Sequence, residues 1–174
     1  CSPQRSRRRT RCATCRRYTA AAVRTSQRLC ELPHVMSTAQ PLVLDALSWL
    51  YLMEGESSLG GPAVLSEVQT AGESAQLYIA SPSVGEVLRL EREGAIRFSL
   101  SADEWLSQAL DSPGLRVVDV DARLAVEIER LPSRESLPYV QAATVATARV
   151  LGARLLTHDA GLKSYAESGF VRLL

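Results

Sequence analysis

Short apolar runs alternate along this chain with stretches of helical periodicity, and that alternation leaves few ways to fold. The runs fall at 41–44, 77–80, 115–120, 154–157 and 170–173. Strands separated by helices cannot pair through tight hairpins, so each connection must cross over and the strands must run mostly parallel. Helices then cover both faces of the sheet. The expectation is an α/β chain with three layers, helices on either side of a central, mostly parallel sheet.

The helices announce themselves locally. After Asp45, apolar residues at 47, 50, 51 and 53 recur in helical rhythm up to Glu54. Gly55 and the cluster at 57–62 break the chain, and a second helix is expected at 63–69. Ser81-Pro82 places a hydroxyl before a proline at a helix start, and Val84, Val87 and Leu88 mark the buried stripe of a helix ending near Gly94. Ser101-Ala-Asp-Glu104 has capping-box spacing and opens a helix carrying Trp105, Leu106, Ala109 and Leu110. Further helices are expected at 122–131, at 139–151 with a stop at Gly152, and at 162–166. Trp49 and Trp105 occupy apolar helical positions and read as core residues. The chain has no phosphate-cradling glycine loop, no internal repeat and no heptad seam.

Charge divides the sequence. Residues 1–35 hold nine arginines and one acid, a balance of +8, whereas residues 36–174 hold 11 basic and 18 acidic residues, a balance of −7. All four cysteines, Cys1, Cys12, Cys15 and Cys30, lie in the basic segment. That segment is expected to be a disordered extension ahead of Met36, with 36–174 as the folded domain. Two other readings stay open for it: a zinc site from Cys12, Cys15, Cys30 and His34, and a nucleic-acid-binding basic arm. A domain free of cysteine suits a reducing cytoplasm. No apolar run approaches the roughly 20 residues that span a bilayer, so no membrane partner is expected.

Asp45 and Asp159 each follow an apolar strand run, which puts both carboxylates at the carboxyl edge of a parallel sheet, where open α/β folds build their sites. Glu86 lies on a helix that follows a strand and can reach the same crevice. Carboxylates gathered in one place raise one another's pKa unless a hard cation such as Mg²⁺ or Mn²⁺ neutralises them. Such a cation polarises a phosphodiester and acidifies a bound water, so hydrolysis needs no covalent nucleophile from the protein. Spacing alone leaves a plainer reading open: an Asp after a strand often only caps the next helix, and a helical Glu is usually just solvated. His158 sits between Thr157 and Asp159, and strand alternation turns it away from Asp159.

The segment from Leu42 to Leu174 resembles a PIN domain of the VapC toxin type. The resemblance rests on Val43-Leu-Asp45 with Trp49 and Glu54-Gly55, on Ser83-Val-Gly-Glu86-Val, on Leu131-Pro132, and on Ala146-Thr-Ala148, Gly152 and Leu155-Leu-Thr-His-Asp159. It implies a PIN-like α/β/α fold and an endoribonuclease that depends on Mg²⁺ or Mn²⁺. Its implied catalytic and metal-binding residues are Asp45, Glu86 and Asp159, with Thr157 as a supporting hydrogen-bonding neighbour. It also implies an RNA substrate, a cognate antitoxin and a homodimer.

The chain departs from that pattern at the third acid. Counting back from Ala146-Thr147-Ala148 puts the usual Asp at Gln141 and the usual Arg at Ala142. Gln141 still offers a carbonyl oxygen to a cation but carries no charge, so affinity should fall. Leu47 replaces a polar residue often found two positions after the first Asp, and Glu135 is a candidate compensating acid. These replacements motivate an alternative: a catalytically silent PIN fold that binds RNA or an antitoxin without cleaving.

Overall fold

The computed structural model describes residues 39–55 and 59–174. The expectations for residues 1–35, including the cysteines and His34, lie outside the described residues. Among the described residues, five parallel strands form one sheet: β1 (Leu42–Leu44), β2 (Leu77–Ala80), β3 (Leu115–Val118), β4 (Arg154–Leu156) and β5 (Arg172–Leu173). Their spatial order is β3-β2-β1-β4-β5. Among the described residues, seven α-helices accompany them: α1 (Ala46–Glu54), α2 (Pro62–Glu73), α3 (Ser81–Arg92), α4 (Ala102–Leu110), α5 (Ala122–Glu129), α6 (Tyr139–Leu151) and α7 (Ala160–Glu167). The three-layer arrangement expected from the alternation is the one observed.

β1 lies at the centre with helices on both sides, so all three of its residues are buried and the strand is apolar without a break. Successive side chains feed opposite layers. Leu42 and Leu44 join Leu77, Ile79, Trp49, Val87 and Trp105 in the core beneath α1 to α4. Val43 and Leu155 join Leu124, Ile128, Ala143 and Leu162 beneath α5 to α7. Trp49 is fully buried, and its ring meets Trp105 edge-on at 5.2 Å between centroids. Both tryptophans are therefore core residues, and Phe98 stacks on the outer face of Trp105 at 4.4 Å.

Where element boundaries differ from the sequence expectations, a local cause is visible. α2 runs on to Glu73 because Val68 and Ala71 form a buried pair three residues apart. α7 begins at Ala160 because Asp159 caps it. α5 stops at Glu129, and the link to α6 contains an unanticipated 3-10 turn at Arg134–Ser136. Arg134 ties that turn down by donating to the carbonyl oxygen of Leu137 at 2.7 Å. Gly114, just before β3, has φ +82° and packs so closely on α2 that a methyl group there would meet the carbonyl oxygen of Gly72 at 1.9 Å.

Among the described residues, no helix is long and apolar enough to cross a membrane.

Candidate active site

Strand register brings the acids together. Leu44 pairs with Leu156 on one side and with Ile79 on the other. One residue beyond those pairs, at the carboxyl edge of the sheet, stand Asp45 and Thr157, and the chain after β2 turns into α3. Asp159 follows two residues after Thr157, Glu86 lies in the second turn of α3, and Gln141 lies in the first turn of α6. Asp45, Glu86, Gln141 and Asp159 all line one cavity of about 530 Å³. Four segments that are distant in sequence thus contribute to a single recess.

Both aspartates also act as helix caps. Asp45 Oδ1 accepts from the backbone N–H of Ser48 at 2.7 Å, and Asp159 Oδ1 accepts from that of Leu162 at 2.9 Å. Capping and site formation coexist because each carboxylate has two oxygens. Asp45 Oδ2 accepts hydrogen bonds from the Thr157 hydroxyl and, at 3.3 Å, from the N–H of His158. The Thr157 oxygen in turn accepts from the Asp159 N–H at 3.0 Å. Thr157 therefore bridges the two aspartates, and both Asp45 and Thr157 are buried.

Glu86 is held differently. Arg89, three residues along α3, grips both its oxygens, with Nη2 to Oε1 at 2.7 Å and Nε to Oε2 at 3.0 Å. Those hydrogen bonds hold the Glu86 carboxyl below its ordinary value of 4.5, against the opposing effect of partial burial. Arg89 also lines the cavity. It was missed in the sequence, although its spacing from Glu86 was a usable signal.

A methyl group built on Gly161 would lie 3.1 Å from Asp159 Oδ1 and 3.7 Å from Gln141 Oε1. The two oxygens are therefore no more than 6.8 Å apart, and the Gln141 carbonyl faces the acidic end of the recess. Ala142 is fully buried in the core and does not line the cavity. Leu47 contributes to an apolar rim with Leu90, Tyr139 and Leu162. Glu135 sits in the 3-10 turn and is not part of the lining. Ser83 and Thr144, both buried, approach at 3.5 Å between hydroxyl oxygens and join α3 to α6 behind the recess.

His158 lies beyond the end of β4 and does not line the recess. Its Nδ1 lies 2.9 Å from the Ser48 hydroxyl, and its ring stands edge-on to Tyr51 at 5.2 Å.

The donors lining the recess are carboxylate and carbonyl oxygens, which suit a hard divalent cation in kind. Their present spacing is open: among the described residues, no three His, Cys, Asp or Glu side chains are grouped closely enough to hold an ion. Arg89 engages both oxygens of one of those acids, Glu86.

The comparisons with known proteins agree with this architecture. The PIN domain family model matches residues 42–168. No curated protein matches in sequence. Among solved structures, VapC20 from Mycobacterium tuberculosis, described as a sarcin-ricin loop cleaving toxin, aligns with TM-score 0.53 and 20% identity over 76% of this chain and 98% of its own. VapBC2 from Rickettsia felis, solved bound to a promoter DNA fragment, aligns with TM-score 0.55 and 12% identity over 76% of this chain and 96% of its own. PAE2754 from Pyrobaculum aerophilum aligns with TM-score 0.50 and 18% identity over 74% of this chain and 86% of its own. Identities this low speak for the shared fold alone, whereas the sequence model spans most of the chain, and on that ground the chain belongs to the PIN domain family.

Proposed function

We propose that this chain is a VapC-like endoribonuclease that hydrolyses RNA phosphodiester bonds with the help of Mg²⁺ or Mn²⁺. The observation that carries the reading is the convergence of Asp45, Glu86, Asp159 and the Gln141 carbonyl on one cavity at the carboxyl edge of the sheet. Asp45, Glu86 and Asp159 would hold the cation, with Gln141 as a neutral ligand at the edge. The bound cation would supply Lewis acidity toward the phosphodiester and toward an attacking water.

The residues of the chain do the rest. Thr157 fixes the Asp45 carboxylate and, through the Asp159 N–H, the start of α7, so both acids are preorganised on rigid elements. Leu47, Leu90 and Leu162 give the recess an apolar lining beside the acids. Because residues 36–174 carry −7, RNA binding relies on local cationic groups and the metal instead of bulk attraction. The resemblance to VapC toxins supports a cognate antitoxin that covers the recess, a homodimer, and action in a reducing cytoplasm.

A second reading, a silent PIN fold that binds RNA or an antitoxin without cutting, is favoured by Gln141 and by the Arg89 grip on Glu86. Incubating the full chain with structured RNA and Mn²⁺ beside an Asp45→Asn variant separates them. Cleavage by the wild type alone supports the nuclease. Equal cleavage in both samples removes the site assignment, and none in either favours the silent reading.

A further inference from the structure

Every charged side chain lining the recess is acidic except Arg89. A phosphodiester entering there meets three carboxylates, an apolar rim and that one guanidinium. The guanidinium is committed elsewhere: two of its nitrogens hold Glu86, and Nη1 holds Glu93 Oε2 at 2.5 Å. Glu86 likewise spends both oxygens on Arg89, the same oxygens a divalent cation needs. The guanidinium covers the edge of the carboxylate that a cation would need for bidentate binding, so arginine and cation compete for it.

We propose that Arg89 is a latch that exchanges partners: it holds Glu86 in the metal-free site, and when a divalent cation takes that carboxylate it turns its fork to a backbone phosphate of the RNA. The inference rests on the nuclease reading and adds to it the group that binds the substrate's charge. The physical basis is that a planar guanidinium matches a phosphodiester's two non-bridging oxygens as well as it matches a carboxylate. Its side chain is 43% exposed, so it has room to turn, and Glu93, just past the end of α3, keeps one arm anchored while the other is released. Exchange of this kind makes RNA binding conditional on the metal, since before the cation arrives the recess has no uncommitted positive group among its described lining residues.

The test uses the full chain freed of metal, with variants Arg89→Ala, Arg89→Lys and Asp45→Asn. Mn²⁺ affinity is read from the electron paramagnetic resonance signal of free Mn²⁺. Loss of the competing ion pair should tighten Mn²⁺ binding by Arg89→Ala about threefold to fivefold. Binding of a fluorescent single-stranded 2′-O-methyl oligonucleotide, checked as intact by electrophoresis, is then measured against salt with and without Mn²⁺. With Mn²⁺ the salt slope of Arg89→Ala should be smaller than that of the wild type by about 0.7, the share of one phosphate contact on a single strand. Without Mn²⁺ the two slopes should coincide, and Arg89→Lys should keep most of the slope.

An unchanged or weaker Mn²⁺ affinity in Arg89→Ala overturns the latch, and so does a slope difference that is the same with and without metal. If Asp45→Asn abolishes Mn²⁺ binding while Arg89→Ala behaves as wild type, only the latch falls. If Asp45→Asn binds Mn²⁺ like the wild type, the metal site and the latch fall together.

Discussion

Replacing Gln141 with Asp adds a fourth carboxylate to the recess near Asp159, whose Oδ1 lies no more than 6.8 Å from the present Gln141 Oε1. At that separation two unit charges repel by about 0.6 kcal/mol if screened as in bulk water and about 2.4 kcal/mol at an effective dielectric near 20. The recess is open on one side, so the cost should fall between those limits. The metal-free variant should melt lower than the wild type, by about 3 °C for each kcal/mol in a domain of this size. A divalent cation in the same recess carries twice the charge and opposite sign, so the added carboxylate should improve its binding by at least about 1.2 kcal/mol, roughly eightfold. Gln141→Asp is therefore expected to cross over: less stable than wild type in chelator, and more strongly stabilised by Mn²⁺. Thermal melts by circular dichroism with and without Mn²⁺, with calorimetric titration of the ion, measure both halves. A variant that matches the wild type in Mn²⁺ affinity would show that residue 141 does not belong to the site and that the assignment of α6 as a ligand helix is wrong.

Thr157→Val keeps the shape of the side chain while removing a buried hydroxyl that serves both aspartates; it should cost about 2 kcal/mol in urea unfolding, and a neutral result would remove Thr157 from its bridging role. The Glu86–Arg89 pair makes a signed pH prediction. The folded carboxyl has a depressed pKa, so its stabilising contribution is present above the ordinary value of 4.5 and is lost as pH falls through the lowered folded value. The stability gap between wild type and Arg89→Ala should therefore be open at neutral pH and should close in acid, measured by urea melts over that range. A gap that widens in acid would contradict the pairing.

The alternation of apolar runs with helical periodicity was enough to specify a parallel sheet between helix layers, because strand and helix periods are local properties of the chain. Caps were legible for the same reason. Ser101 and Glu104 form the reciprocal box that their spacing announces, and Asp45 and Asp159 cap the helices that follow their strands. The same two aspartates were legible as candidate site residues, since a carboxylate ending a parallel strand emerges at the carboxyl edge whichever strand is its neighbour.

Which strands are neighbours was decided by tertiary structure. Pairing of Leu44 with both Ile79 and Leu156 is what puts Asp45 beside Thr157 and near the start of α3, and no local pattern specifies that register. The burial of Ala142 beside a cavity-facing Gln141 follows from how α6 is rotated against the sheet. The pairing of Glu86 with Arg89 is by contrast local, three residues apart on α3, and its spacing stood in the sequence. Local periodicity determines what each segment becomes. The meeting of three carboxylates and the Gln141 amide from four distant segments depends on packing that no single segment encodes.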